Sequence, residues 1–513
     1  MGQQGRRGLN LSRALFGAVL VVALVGSAAQ AAPPSDRLVV AQGTDPVALD
    51  VTQHREVPTY NVTMNIFDGL LHKRPDGSFE GGLATSWRRL DDTTWELDLR
   101  RGVRFHNGEP FTAEAVRFTL ERIVNPDYRS ARRTGYLFVQ DLEVVDDFRV
   151  RLRTTRPYPL TEALLAELQI VPPRYYAQVG PDGFNRHPIG TGPYRFVRWV
   201  KDTVVELEAN PEYWRGAPAF GRLEFRPIPN PVTRVASLIA GEADVIVNVP
   251  PPLIAQVDAS TTARVKVVDG ARVIYVGLNT KLDSPLKDRR VRQALNYAVD
   301  VPSIVKGVLQ GLGTPTSTLL TAVDFGFSPD VQPYPYDPAR ARQLLAEAGY
   351  PNGFETTLQT PSGRYLNDLQ VAQAIAAQLE AVGVKVKIEV REFGAYNRDL
   401  FSGNAGPMFL LGWGNPVFDA DYIFYPLLRT GELLSYFSHE GIDRLLDVGH
   451  GAVDREVRRR AYREVVPLIH QEAPVIFLYK QRDAYGVSRR VEWEPRSDEF
   501  LWMFDARPAA GGR

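Results

Sequence analysis

The sequence predicts an α/β protein with more than one domain, and three observations point to this class. The chain has 513 residues, which is long for a single domain. Its first half is typical of strands and hairpins, whereas helical and strand patterns alternate from about residue 285. Such alternation favours a sheet rich in parallel strands with helices on its faces. The content of 44% hydrophobic and 23% charged residues fits a globular chain with sizeable cores.

In the first half, short patterns indicate individual elements. Apolar side chains alternate over residues 94–99, which predicts a half-buried strand. The pairs Asp146-Asp147 and Lys201-Asp202 each stand between two strand-like apolar segments. Each pair is typical of a turn, so two hairpins are predicted. Thr112 precedes an amphipathic run and is expected to cap a helix with its side chain.

The second half contains clearer start and stop signals. Asp337 followed by Pro338 predicts the N-terminus of a helix. Residues 354–359 are typical of a strand, residues 366–382 of a helix, and the alternating valines and isoleucine of 384–390 of another strand. This order of elements is the one expected for an α/β domain.

Charge and cysteine content exclude several classes of protein. Lysine and arginine number 60 and aspartate and glutamate also number 60, so the chain is formally neutral. A nucleic-acid-binding protein would usually be clearly basic, so no nucleic-acid partner is expected. The absence of cysteine rules out disulfide scaffolds, iron–sulfur clusters, cysteine nucleophiles and a lipid anchor on cysteine.

The N-terminus is typical of a secretory signal peptide. Three arginines precede an apolar run at residues 15–25, and an Ala-x-Ala pattern ends at Ala31. The apolar run is shorter than the roughly 20 residues that span a bilayer. We therefore expect residues 1–31 to be removed and the mature chain to be periplasmic, with no lipid anchor.

Local catalytic and cofactor motifs are missing from the sequence. It has no phosphate-binding glycine loop, no dinucleotide-binding glycine pattern and no G-x-S-x-G nucleophile turn. The seven histidines are scattered, so no metal site and no cofactor are expected. Asp419 and Asp421 are the one tempting carboxylate pair for a secreted hydrolase, but two residues apart they need not face each other.

Several separated segments resemble one family. They are LATSW at 83–87, WELDLRRGVRFHNGEPFTAEAV at 95–116, GTGPY at 190–194, NPEYW at 210–214, GEAD at 241–244, DRRVRQALNYA at 288–298 and the segment 344–351. In this order they resemble the family 5 extracellular solute-binding proteins of ABC importers, which include dipeptide, oligopeptide and nickel receptors. The segments cover nearly the whole mature chain.

The resemblance implies a periplasmic-binding-protein-like fold: two α/β lobes joined by a two-segment hinge, with an extra α+β subdomain inserted in the first lobe. Lobe I would comprise 32–65, 187–274 and 484–513. The insertion would be 66–186, and lobe II would be 275–483. Chain crossings near 273–279 and 477–483 would form the hinge and let the lobes close on a ligand.

The resemblance also implies ligand-binding residues. Arg364, followed by Tyr365, matches a segment whose arginine pairs with the carboxylate of a dipeptide. Trp413 lies in the G-W loop that lines the cleft, and Asn415 follows it. Further polar residues expected to face the cleft flank the two crossings; they are Asn248, Tyr275, Asn279, Tyr479 and Gln481.

One position departs from the peptide-receptor pattern. Such receptors usually place an aspartate a few residues after the tryptophan to hold the ligand's ammonium, but here the first carboxylate is Asp419. Either Asp419 takes that role or the ligand presents no amine there. Short peptides, glutathione, opines, oligosaccharides and metal chelates all remain open as ligands.

The expected function is therefore that of a non-enzymatic periplasmic receptor. It would capture a short peptide or peptide-like solute by hinge closure and deliver it to the permease subunits of an ABC importer. A monomer is the family expectation. The alternatives are a receptor for a non-peptide solute and a secreted hydrolase, and a test for product formation separates the latter.

Overall fold

The structure is a computed structural model that describes residues 36–322, 324–432 and 434–510. The predicted signal peptide at residues 1–31 lies outside the described residues.

The described residues contain nineteen strands and fourteen α-helices. The strands are β1 (Arg37–Gln42), β2 (Leu71–Lys73), β3 (Phe79–Gly81), β4 (Ala84–Arg89), β5 (Thr94–Leu99), β6 (Val139–Asp146), β7 (Arg149–Thr154), β8 (Tyr194–Val200), β9 (Val204–Ala209), β10 (Arg222–Pro227), β11 (Val245–Ile246), β12 (Ala263–Leu278), β13 (Gly313–Pro315), β14 (Phe354–Thr360), β15 (Val384–Val390), β16 (Met408–Gly414), β17 (Val475–Ser488), β18 (Val491–Glu492) and β19 (Arg507–Pro508). The helices are α1 (Val57–Thr63), α2 (Ala113–Val124), α3 (Thr161–Glu167), α4 (Pro173–Arg186), α5 (Pro231–Ile239), α6 (Ile254–Asp258), α7 (Arg289–Ala298), α8 (Val301–Gly307), α9 (Pro338–Glu347), α10 (Asp368–Glu380), α11 (Phe393–Phe401), α12 (Ala420–Leu428), α13 (Glu440–Gly451) and α14 (Arg455–Glu472).

One large sheet contains most of the long strands. Its order is β15-β14-β16-β12-β17-β11-β1-β10-β9-β8, and β13 pairs with β17 beside this path. β14 runs parallel to β15 and β16, and β1 runs parallel to β10 and β11. Antiparallel pairing of β12 and β17 joins these two parallel groups. The mixed α/β class predicted from the sequence is confirmed.

β12 and β17 connect the two sides of the sheet. β12 pairs with β16 through residues 272–278, while β17 pairs with β11 through residues 486–487. Their mutual register shifts between Asp269 and Val273 and again between Ile274 and Tyr275. The predicted crossings at 273–279 and 477–483 fall on these two strands, and their action as a hinge stays a prediction.

Both faces of the sheet are apolar in its middle. Ile274 and Val276 of β12 enter a core shared with α7, α8, α9 and α10. The alternate residues Val273 and Tyr275 enter a second core, shared with α11, α12, α13 and α14. A sheet with helices on both faces buries both sides of its strands in this way.

A separate four-stranded antiparallel sheet, β4-β5-β7-β6, lies within the predicted insertion. Leu97 and Val150 of this sheet pack with Val116 and Leu120 of α2 in a core of their own. The predicted boundaries of the insertion and of the two lobes stay predictions.

Several locally predicted elements are confirmed. The strand predicted at 94–99 is β5, and the two predicted hairpins are β6–β7 and β8–β9. Asp337 caps α9, because its carboxylate accepts the backbone N–H of Arg340 at 2.9 Å. The prediction for Thr112 is wrong in one respect, since its side chain makes no capping bond. The first N–H of α2, on Ala113, instead donates to the carbonyl of Asp147 at 2.8 Å.

Within the described ranges, no helix combines the length and the apolar character needed to cross a membrane.

Candidate functional site

A cavity of about 100 Å³ lies where distant parts of the chain meet. A cavity of this volume has room for several water-sized groups. Its walls come from the start of the chain, from the predicted insertion, from the second half and from the C-terminal segment. The lining residues are Arg55, Glu56, Val57, Tyr60, Arg132, Glu167, Arg272, Arg364, Tyr365, Phe393, Asn397, Leu400, Phe401, Leu411, Gly412, Trp413, Gly414, Pro416, Tyr422, Leu434, Asp498 and Phe500.

Two arginines on one wall share a single carboxylate. Arg272 forms an ion pair with Glu499 and donates a hydrogen bond from Nη2 to Oε2 at 2.9 Å. Arg364 lies farther from the same carboxylate, with 3.6 Å between Nη2 and Oε2. The Nε of Arg364 is buried and has no hydrogen-bond partner among the described residues. Asp483 also acts electrostatically on both guanidiniums, but burial raises the pKa of its carboxyl to about 8, so Glu499 is the main counter-charge of the two arginines at neutral pH. Within the described structure, Arg364 keeps an unused donor there.

The environment of Arg364 favours an added anion. Burial, and then the positive charge of Arg272, lowers the pKa of the Arg364 guanidinium. Only 8% of the residue is exposed, so solvent screens this charge weakly. A carboxylate in the cavity would relieve the repulsion between the two guanidiniums and could accept a charge-assisted hydrogen bond.

The loop before α10 holds Arg364 in place. The carboxylate of Asp368 accepts the backbone N–H groups of Gly363, Arg364 and Tyr365 at 3.0, 2.9 and 3.0 Å. The side-chain amide of Asn248 donates to the carbonyl of Arg364 at 3.0 Å. The backbone of the loop is thus fixed from two directions.

Glu56 supplies an opposite charge in the same cavity. Its Oε2 accepts the backbone N–H of Arg55 at 3.1 Å, whereas its buried Oε1 has no partner among the described residues. Burial raises the pKa of this carboxyl. A cationic or N–H-bearing group of a ligand would satisfy Oε1 and stabilise the ionised carboxylate.

Aromatic side chains form much of the remaining wall. Trp413 donates its indole N–H to the carbonyl of Tyr422 at 3.1 Å, which fixes its ring. The ring of Tyr365 lies 5.0 Å from the guanidinium of Arg364 and 5.6 Å from that of Arg272. Apolar walls with a few fixed polar groups are typical of small-molecule sites.

The predicted residues Arg364, Tyr365 and Trp413 lie together in this cavity. Asn248 lies behind the loop and lines a small neighbouring cavity that Arg364 also lines.

Asn415 and Asp419 do not line the main cavity. Arg458 engages Asp419 with two hydrogen bonds, of 2.6 and 2.9 Å. Asn415 is fully buried and donates to Asp324 at 2.7 Å and to the carbonyl of Asp419 at 3.1 Å. The position of Asp419 therefore gives no support to its predicted contact with a ligand amine. Asp421 is bound separately, to His450 at 2.8 Å, so the two aspartates do not form a joint carboxylate pair.

The remaining predicted residues lie in the interior of the described structure. Tyr275 and Tyr479 are buried in the two cores of the large sheet. Asn279 donates to the carbonyl of Ala405 at 2.9 Å. Gln481 donates to Asp483 at 2.5 Å and accepts the N–H of Leu366 at 3.2 Å, so it supports the loop that carries Arg364.

Sequence reasoning missed Glu56, Arg272 and Glu499. Arg272 directly precedes the first predicted crossing. Its charge beside an apolar strand was the one sequence signal that could have indicated a functional role. No local pattern distinguishes Glu56 from other exposed-looking glutamates of the sequence. Glu499 could not be found locally, because its partners Arg272 and Arg364 lie far away in the chain.

A large mixed sheet, a separate antiparallel sheet and a cavity with fixed charges and aromatic walls are together typical of a solute-binding protein. Comparison with known proteins agrees. A family model described as bacterial extracellular solute-binding proteins, family 5 middle, matches residues 78–433.

A glutathione-binding protein GsiB from Pectobacterium atrosepticum is 31% identical over 495 residues, which cover 93% of this chain and 95% of the relative. The solved structure of the periplasmic binding protein DppA from Helicobacter pylori, in complex with the peptide STSA, has a TM-score of 0.87 at 26% identity and covers 92% of this chain and 98% of that chain. AgaA from A. tumefaciens, in complex with agropinic acid, has a TM-score of 0.85 at 26% identity over 92% of this chain and 99% of that chain.

The chain belongs to the family 5 extracellular solute-binding proteins. It is a periplasmic solute-binding protein of the ABC-importer type, and the two-lobed architecture implied by the resemblance is confirmed. Its relatives are binding proteins and not enzymes.

Proposed function

We propose that this protein captures a short peptide or a peptide-like solute with a free carboxylate, and that it delivers this solute to an ABC permease without chemical turnover. The observation that carries the proposal is the buried wall on which Arg272 and Arg364 face the single carboxylate of Glu499. Arg364 keeps an unpartnered Nε there. An anionic ligand group would complete this wall.

The proposed orientation of the ligand follows from the charge of Glu56, which is opposite to that of the two arginines. Glu56 lines the same cavity, its buried Oε1 has no partner among the described residues, and Arg364 is among the charges that act on its carboxyl. We therefore assign the amine-binding role to Glu56 in place of Asp419, whose carboxylate is engaged by Arg458. Peptides, glutathione and agropinic acid, the ligands named for the relatives, are the first candidates.

Several finer features belong to the same proposal. The lobes would close about β12 and β17, with the boundaries predicted from the sequence, and residues 1–31 would be removed on export. The receptor would act as a monomer, without a nucleic-acid partner. Absence of turnover is supported by the separate engagement of the two aspartates, Asp419 by Arg458 and Asp421 by His450.

A thermal-shift screen of residues 32–513 tests the ligand class. The panel contains di- to pentapeptides, glutathione, opines, oligosaccharides and nickel chelates. A ligand at about 100 times its dissociation constant adds roughly 2.7 kcal/mol to the free energy of unfolding. Stabilisation by carboxylate-bearing solutes is expected, and stabilisation by neutral oligosaccharides alone would refute the proposal. Mass spectrometry of the recovered ligand is expected to show it intact, whereas cleavage products would favour the hydrolase alternative.

Replacement of Arg364 tests its role directly. The Arg364→Ala variant is expected to bind the ligand found in the screen ten- to a hundredfold more weakly, because a charge-assisted contact is lost. Isothermal titration calorimetry measures the change. The control is Arg89→Ala, which removes an exposed arginine of β4 and should leave affinity unchanged. Equal affinity of Arg364→Ala and the wild type would contradict the assignment.

A further inference from the structure

A second, smaller cavity adjoins the main one. It has a volume of about 40 Å³ and shares Tyr60, Glu167, Pro416 and Phe500 with the main cavity. Its volume corresponds to roughly two or three water-sized groups. A ligand arm that passes these shared residues would enter it from the main cavity.

Gln169 lines this second cavity with an unsatisfied amide. Only 2% of the residue is exposed, and both its Nε2 and its Oε1 are buried without a hydrogen-bond partner among the described residues. A buried polar group without a partner costs about 1–3 kcal/mol. Two such atoms on one side chain indicate that a partner with both a donor and an acceptor belongs there.

The carboxylates near the cavity already have hydrogen-bond partners. Asp68 accepts hydrogen bonds from Thr191, Tyr213 and Trp214 at 2.8, 2.9 and 3.0 Å. Asp498 binds Lys73 at 3.0 Å and Arg496 at 2.7 Å. A carboxylate would leave the Oε1 of Gln169 without a donor, and an ammonium group would leave its Nε2 without an acceptor, whereas a neutral carboxamide offers both.

The other walls are aromatic. Trp214, Trp502, Phe500 and Tyr60 line the cavity beside Gln169. Flat apolar walls suit the methylene stem or the planar amide of a ligand arm, while the amide of Gln169 provides the polar end.

We propose that this cavity is a specificity subsite for a neutral arm ending in a carboxamide, such as a glutamine side chain of the ligand. The proposal rests on the proposed function, because the arm must belong to a solute bound in the main cavity. Gln169 would donate through Nε2 to the carboxamide oxygen and accept through Oε1 from its NH₂ group.

Matched dipeptides test the subsite. Gln-Ala and Ala-Gln are compared by calorimetry with Met-Ala and Ala-Met, since methionine has a similar unbranched shape without the amide. At least one glutamine peptide is expected to bind the wild type about tenfold more tightly than its methionine counterpart. Gln169→Leu should abolish this preference, whereas Gln373→Leu, on the exposed side of α10, should retain it. The ligand-free melting temperature of Gln169→Leu should equal or exceed that of the wild type, because an unpaired buried amide is removed.

Three results would overturn the subsite. They are an unchanged preference in Gln169→Leu, the absence of any preference in the wild type, and a crystal structure of the glutamine complex in which only water contacts the Gln169 amide. If the peptides bind in an Arg364-dependent but Gln169-independent manner, the subsite fails and the proposed function stands. If none of the four peptides binds, the short-peptide ligand and the subsite fail together.

Discussion

Arg364 illustrates how single residues are positioned by groups far away in the sequence. Its backbone is fixed by Asp368 four residues later, by Asn248 and, through Leu366, by Gln481. Its guanidinium faces Glu499, which Arg272 also binds. The position of Arg364 therefore depends on side chains from distant parts of the chain.

Histidine burial predicts acid sensitivity at the residue scale. Burial lowers the pKa of His106 from 6.5 to about 4, although its hydrogen bond to the carbonyl of Gly192 acts in the opposite direction. The unfolded state takes up a proton near pH 6.5, whereas the folded state resists protonation until about pH 4. The contribution of His106 to the free energy of unfolding is therefore complete above pH 6.5 and is lost as the pH falls toward 4.

Denaturant unfolding at several pH values measures this effect. The free energy of unfolding of the wild type is expected to fall by about 2 kcal/mol more between pH 7 and pH 4 than that of His106→Gln. Parallel pH profiles for the two proteins would contradict the assignment.

At the scale of elements, two loops approach each other very closely. Gly43, after β1, has no space for a side chain, because a Cβ there would clash with the carbonyl oxygen of Gly363. Gly363 has φ +83° and is itself packed against the carbonyl of Pro229. These contacts join the predicted lobes directly beside Arg364.

Gly43→Ala is expected to weaken ligand binding at least tenfold while the ligand-free melting temperature changes little, because the added methyl group keeps the loops apart and disfavours the closed form. Calorimetry and thermal unfolding measure the two effects. The control is Gly307→Ala, a glycine of α8 with open space around its Cβ position. An equal loss of ligand-free stability and affinity would show that the loop contact serves folding and not closure.

Local sequence patterns predicted the elements well but the site only in part. β5, α9, β14 and β15 follow from periodicity and capping over a few residues, and such signals are contained in the segment itself. Arg272 and Glu499 are 227 positions apart, so no local pattern could pair them. Asp419 shows the same limit, because Arg458, which binds its carboxylate, lies 39 positions away in α14. The predicted contact of Asp419 with a ligand amine stays a prediction.

For the whole molecule, the proposal of closure predicts a change in dimensions. A compact chain of this length has a radius of gyration of about 23 Å. Small-angle X-ray scattering of residues 32–513 should give a larger value without ligand and a decrease toward about 23 Å when the ligand found in the screen is added. An identical scattering profile in both states would contradict hinge closure about β12 and β17.

The place of β17 in the large sheet has a consequence for how the chain folds during synthesis. Although β17 comes from residues 475–488, it lies between β12 and β11, near the middle of the sheet. The two halves of the sheet therefore cannot be joined until almost the whole chain has left the ribosome. Until then β11 and β12 present unpaired edges, which in other proteins invite aggregation. Folding that waits for contacts of such long sequence separation is generally slow, so we expect a long interval in which the full-length chain is still unfolded.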